Sequence, residues 1–154
     1  MALGSRGIKR LYLDVCVLCR PFDDQSLLRI RLETDAVNLI LEHVRRKKYE
    51  MVVSPVHFAE IGSTARHQER AELMLFLNAF AVQPGWDMTK LRKRAKQLHE
   101  VKFGVADAAH VAFAEASAQV FIVCDDRLLR KCEKTATTLE AMSPTEFCIR
   151  EGLK

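Results

Sequence analysis

The sequence predicts an α/β fold built on a mainly parallel sheet. Two observations carry this. Short apolar runs alternate with longer segments of helical periodicity along the whole chain. The first of those runs, Leu11 to Leu18, is interrupted only by Asp14, so it reads as a strand that is apolar on both faces. Such strands belong to parallel sheets covered by helices on each side. No internal repeat, low-complexity stretch or linker divides the 154 residues. One domain spanning residues 1–154 is therefore expected, large enough for a core of its own.

The elements follow in order. After the first strand, Arg20-Pro21-Phe22-Asp23-Asp24 is a turn. From about Gln25 to Lys48, Leu28, Leu32, Ala36, Leu39, Ile40 and Val44 recur at helical spacing. This helix ends in Arg45-Arg46-Lys47-Lys48, which suit the negative end of its dipole. Met51 to Val53 is a second strand. Ser54-Pro55, a cap and a first-turn proline, opens a helix that carries Phe58, Ala59 and Ile61. A further helix runs from about Gln68 to Phe80, and Ala81 to Gln83 is a short strand before Pro84-Gly85. A basic helix spans roughly Asp87 to Glu100 and breaks at Phe103-Gly104; an alanine-rich helix then runs from Val105 to Ala118. Val120 to Cys124 is the clearest strand after the first. Asp125-Asp126 caps the next helix, with Asp126 the better placed of the two. Thr137 to Met142 is a last strand, and Ser143-Pro144-Thr145-Glu146 is a capping box opening the final helix.

Composition excludes several classes of function. Hydrophobic residues make up 49% and charged residues 29% of the chain, the balance of a globular protein. No apolar run approaches the ~18 residues that cross a bilayer. Met1 to Arg10 lacks the apolar core of a signal peptide, which predicts a cytoplasmic protein. The five cysteines are odd in number and irregular in spacing, unlike a disulfide framework. Cys16 and Cys19 alone supply half the ligands of a structural zinc, and their apolar setting suits buried small hydrophobes. The net charge is +4, with basic clusters at residues 45–48, 90–96 and 127–134. A phosphate backbone is one partner such clusters fit, solvated helix faces the other reading.

Four carboxylates stand out: Asp14, Glu60, Asp107 and Asp125. Ligands of α/β sheets bind at the carboxyl ends of the strands. Asp14 lies late in an apolar strand, where a charge is costly unless paired or metal-bound; a turn cap is its ordinary alternative. Asp125 ends another strand, and with Asp126 it exceeds what one helix cap requires. Either could be the ligand on placement alone. Asp107 falls in a helix first turn, where the dipole favours it. Glu60 sits in the second turn of its helix among apolar neighbours, a position that by itself suits a solvated glutamate. All four could face one end of the sheet. Clustered carboxylates raise one another's pKa, and a divalent cation resolves the repulsion, with all-oxygen ligation favouring Mg²⁺ or Mn²⁺. Each ionised acid contributes −1 to the net +4, so the rest of the chain carries +8. A negative pocket inside a positive surface suits a nucleic-acid backbone.

These segments resemble the PIN-domain family, and within it the VapC-like toxins of bacterial toxin–antitoxin pairs. Leu11-Tyr12-Leu13-Asp14 with Val17-Leu18 is similar to the family's opening strand, and Arg20 to Gln25 to the continuation in one of its branches. Ser54-Pro55-Val56 leading to Glu60 resembles the second motif, Asp107-Ala108-Ala109-His110-Val111-Ala112 the third, and Phe121 to Leu129 the fourth. Ser143 to Phe147 resembles the usual ending. The resemblance implies a three-layer α/β/α fold with a parallel sheet of about five strands. It also implies a Mg²⁺- or Mn²⁺-dependent endoribonuclease acting through a metal-activated water, a homodimer, and an antitoxin whose tail enters the site. By motif, Asp14, Glu60, Asp107 and Asp125 would be catalytic, with Asp14, Asp107 and Asp125 as metal ligands. Arg20 and Lys102, which flank motifs, and Arg127 and Arg130, just beyond the last acids, are candidates for RNA phosphates.

Two departures bear on activity. The family usually carries Ser or Thr and then Asn or Ser after its first Asp, where Val15 and Cys16 stand here; Thr usually stands at the position of Val123. Lost polar partners of this kind weaken metal sites by about 10–100-fold. The alternative expectation is therefore a weak or silent PIN-like module that binds RNA or protein. His57 and His110 read as packed helix histidines, and Trp86 as a packing residue.

Overall fold

A computed structural model of the chain describes residues 7–64 and 66–154. The reading of Met1 to Arg10 as lacking a signal segment therefore falls, for residues 1–6, outside the described residues. Five strands form one all-parallel sheet: β1 (Arg10–Leu13), β2 (Glu50–Val52), β3 (Ala81–Val82), β4 (Val120–Ile122) and β5 (Glu140–Met142). Their spatial order is β3-β2-β1-β4-β5. The chain starts at the centre, builds outward to β3, then crosses over to β4 and builds the other way. The strand order thus reverses between β1 and β4, and in such sheets the crevice at the carboxyl ends beside the reversal is where ligands bind.

Side-chain alternation decides the layers. Leu11, Leu13, Met51, Val120 and Ile122 point to one face. They pack with α2 (Leu28–Arg45), α4 (His67–Phe80) and α8 (Pro144–Glu151) through Val37, Ile40, Leu77 and Phe147. Tyr12, Val52 and Phe121 point to the other face, under α5 (Met88–Glu100), α6 (Val105–Ser117) and α7 (Asp126–Lys134), with Leu98, Val111 and Leu128 among their partners. The result is the three-layer α/β/α arrangement with five parallel strands that the motifs imply. Trp86 packs edge-on against Phe113, ring centroids 4.8 Å apart.

Several boundaries differ from the sequence reading. The run Leu11–Leu18 is not one strand. β1 ends at Leu13, and Val15–Cys19 forms the short helix α1. Asp14 makes the break: its extended backbone accommodates a side chain that accepts a hydrogen bond from the Val15 N–H at 2.9 Å. Val17 and Leu18 stay buried in the same core, so apolarity persists while the conformation changes, and periodicity cannot distinguish a short buried helix from a strand. The long basic-ended helix spans only Leu28–Arg45, and Lys47, at φ 61°, turns the chain out of it. The last strand is confined to Glu140–Met142. Asp125, not Asp126, caps α7, accepting from the N–H groups of Arg127 and Leu128 at 2.9 and 3.3 Å. Asp126 instead meets the Arg29 guanidinium through both oxygens at 2.8 and 2.9 Å. Only half of the Ser143 capping box forms. Ser143 accepts from the Glu146 N–H, while the Glu146 carboxylate turns to Arg150.

Candidate metal centre

The reversal of strand order brings distant residues together. Asp14 follows β1. Glu60 projects from α3 (Pro55–Gly62), which begins just beyond β2. Asp107 lies in the first turn of α6 and Asp125 follows β4. Asp14, Glu60 and His110 each offer a ligand atom, and these atoms lie within 4.8 Å of one another. His110 Nε2 stands 3.0 Å from Glu60 Oε1 and 3.7 Å from Asp14 Oδ1. The hydrogen bond from His110 holds the Glu60 carboxyl below the ordinary carboxylate range, against its partial burial. Asp107 is shifted the other way. Burial raises its pKa first, and the charges of Asp14 and Asp125 add to the shift, so Asp107 feels both of the other carboxylates. Carboxylates gathered around a buried Asp14, beside an imidazole, fit a divalent cation; these residues therefore suit the ion that the motifs imply.

Two groups hold Asp14 in place. The Val15 N–H binds Oδ1, and the Cys16 thiol donates to Oδ2 at 3.1 Å. The neighbouring Cys124 thiol, burial and the charge of Asp14 all push the Cys16 pKa up, so the sulfur keeps its proton and remains a donor.

Beneath the carboxylates lies a buried polar chain. His57 Nε2 donates to the Leu13 carbonyl at 2.7 Å, and His57 Nδ1 accepts from the Ser54 N–H at 3.0 Å. Ser54 Oγ contacts the Tyr12 hydroxyl at 2.7 Å, and that hydroxyl contacts His110 Nδ1 at 2.6 Å. Burial pushes His57 down to about 4, so it is neutral in the folded protein at neutral pH. The unfolded chain, with an ordinary histidine pKa near 6.5, binds more protons between these values. Stability is therefore fully present above pH 6.5 and is lost as pH falls towards 4, by about 3 kcal/mol from this residue. Urea unfolding of the wild type should show this slope, and His57→Asn should flatten it. Parallel pH profiles for the two proteins would contradict a neutral His57.

A model of the PIN domain matches residues 11–134. The chain belongs to the PIN domain family. Among solved structures it is similar to FitAcB from Neisseria gonorrhoeae, with a TM-score of 0.54 at 15% identity. That match covers 87% of this chain and 97% of the other, and it speaks for the fold. No curated protein matches the chain.

Within this PIN domain, the positions where polar partners are usual take different forms. Val123 is fully buried among apolar side chains and supplies no donor. Cys16 does supply one, so part of the polar support expected to be missing is present as a thiol. Cys16→Ala should weaken divalent-ion affinity by about 10-fold, while Cys16→Ser, which restores a hydroxyl donor, should match or exceed the wild type. Ion titrations of the three proteins check this, and equal affinity in Cys16→Ala would contradict a role for the thiol.

The basic candidates occupy different settings. Arg20 is held in ion pairs with Asp23 and the buried Glu33, at 2.9 and 3.1 Å. Lys102 is exposed in the turn before α6, at φ 73°. Arg127 and Arg130 are exposed on α7. Sequence reasoning read His110 as core packing. It is 1% exposed, yet its Nε2 faces two carboxylates. Its spacing of three residues from Asp107 on one helix was the available signal.

Proposed function

We propose that this chain is a divalent-metal-dependent endoribonuclease, acting in the cytoplasm as the toxin of a toxin–antitoxin pair and folded as one PIN domain over residues 1–154. One observation carries the reading. Asp14, Glu60 and His110 converge at the carboxyl ends of the central strands, with Asp107 and Asp125 close enough for their charges to act. In this reading Asp14, Asp107 and Asp125 hold Mg²⁺ or Mn²⁺, and Glu60 completes the catalytic set. When bound, such an ion supplies Lewis acidity, polarising a phosphodiester and lowering the pKa of a water.

The chain's own groups prepare that chemistry. Cys16 and the Val15 N–H orient Asp14, and His110 orients Glu60. The N-termini of α6 and α7 point their positive dipole ends at the acidic cluster and at an incoming phosphate. Lys102, Arg127 and Arg130 offer exposed cations for the RNA backbone, while Arg20 serves chiefly to neutralise Glu33. A cognate antitoxin and a second copy of the chain are the proposed protein partners. No helix among the described residues is long and apolar enough to cross a membrane.

Incubating the purified protein with structured RNA tests the proposal. Cleavage should require Mn²⁺ or Mg²⁺, stop with EDTA and return on adding excess ion. Cleavage that survives EDTA would overturn it. RNA binding without products under every ion would favour the second reading, a silent binding module, which the apolar Val15 and Val123 support.

A further inference from the structure

We propose that His110 is itself a ligand of the ion, through Nε2, and that its imidazole gives the site a preference for first-row transition ions such as Mn²⁺ over Mg²⁺. The inference rests on the metal-dependent reading above and goes beyond its all-oxygen ligand set.

One group in the buried polar chain has a fixed role. The Leu13 carbonyl can only accept, so His57 Nε2 must carry the hydrogen between them. A neutral His57 then has a bare Nδ1, which accepts from the Ser54 N–H. Ser54 Oγ also lies 3.2 Å from Nδ1. The single lone pair of Nδ1 is already taken by the Ser54 N–H, so His57 leaves the direction of the Ser54 hydroxyl open. The Ser54–Tyr12–His110 chain, with contacts of 2.7 and 2.6 Å, can therefore run in two directions: Tyr12 donates to His110 Nδ1 and Nε2–H is given to Glu60, or Tyr12 donates to Ser54 Oγ and accepts from His110 Nδ1–H, which leaves Nε2 bare.

In the second direction Tyr12 still anchors the ring through Nδ1–H, and an ion can take the place of the Nε2 hydrogen between Glu60 Oε1 and Asp14 Oδ1. Metal-ligating histidines are held in this way, with one ring nitrogen anchored by a hydrogen bond and the other facing the remaining ligands. The ring has little freedom to turn away. It is 1% exposed and packed edge-on to Tyr12 and His57, with centroids at 5.5 and 5.1 Å. Mg²⁺ demands oxygen ligands and dehydrates reluctantly, whereas imidazole suits first-row transition ions. An imidazole added to the carboxylates therefore separates the two classes, and His110 is the residue that supplies it.

The test uses the full chain. Mn²⁺ binding is followed by the electron paramagnetic resonance signal of the free ion, with Mg²⁺ as competitor, and nitrogen ligation by electron spin-echo modulation from ¹⁴N. Wild type should bind Mn²⁺ with ¹⁴N coupling and at least about 10-fold more tightly than Mg²⁺. His110→Gln should lose the coupling and about 10-fold or more of the Mn²⁺ affinity, with Mg²⁺ affinity changed far less. Mn²⁺ bound by wild type without ¹⁴N coupling would overturn the role of His110 and leave the nuclease reading standing, whether or not the variant folds. Equal losses for both ions in the variant would overturn the preference. Failure of wild type to bind either ion would overturn the nuclease reading together with this one.

Discussion

Asp14→Asn and Asp107→Asn should each yield a folded protein that no longer cleaves RNA in either Mn²⁺ or Mg²⁺. Asparagine keeps the shape of aspartate, and at position 14 it can still accept the Val15 N–H, since the two residues cap helices about equally well. It cannot supply the charge. Losing one anionic oxygen removes several kcal/mol of electrostatic stabilisation, and every 1.36 kcal/mol is tenfold in rate, so the fall is on the order of 10³-fold. Stability should move the opposite way at position 107. The Asp107 carboxyl titrates above its ordinary value because burial and the charges of Asp14 and Asp125 oppose ionisation. A group whose folded pKa is raised disfavours the fold at neutral pH when it is an acid. Asp107→Asn should therefore melt at or above the wild-type temperature while losing activity. Single-turnover cleavage and thermal unfolding of the same preparations check both halves. Retained cleavage in both variants would remove these carboxylates from the chemistry.

Phe121→Ala should cost about 3–5 kcal/mol of stability. Phe121 is fully buried in β4, directly beside Tyr12 in the sheet register, with ring centroids 5.7 Å apart. Its removal leaves a void under α5 and α6 that the sheet cannot close without moving a strand. Domains of this kind have only about 5–15 kcal/mol in total, so the loss should lower the melting temperature by roughly 10 °C. The site should feel it too. Phe121 braces Tyr12, and Tyr12 anchors His110, so ion affinity should fall in the protein that remains folded. Urea unfolding gives the first quantity and ion titration below the transition gives the second. A loss under about 1 kcal/mol would mean that the core collapses around the gap, and would contradict the packing described.

Much of the architecture was legible because it depends on local pattern. Ser54-Pro55, Gly104 and Ser143-Pro144 mark the starts of α3, α6 and α8, since caps and first-turn prolines act through nearest neighbours. Two-sided apolarity in Leu11 to Leu13 and Val120 to Ile122 announced central parallel strands. The misread segment, Val15–Cys19, was illegible for a definite reason. All five of its residues are apolar, so the sequence carries no periodicity that would separate a strand from one and a half turns of helix.

The candidate site divides along the same line. Asp14, Asp107 and Asp125 could be picked from one dimension because each stands at a strand end or a helix first turn. Placing Glu60 beside them needed α3 to swing its second turn over the carboxyl end of β1. Whether Asp125 or Asp126 faces the cluster was decided by Arg29, 97 residues away in the chain, which takes Asp126 for itself. The spacing from Asp107 hints at His110, but its orientation is not legible in the chain, since Tyr12, Ser54 and His57, which hold it, come from β1 and the start of α3. The class of fold, the order of its elements and the acidic residues at their ends follow from hydrophobic periodicity and from backbone groups next in line. Which of those acids meet, that a thiol and an imidazole join them, and which way each side chain points depend on the packed molecule. Contacts between residues tens of positions apart exist only once β1 and β4 lie side by side.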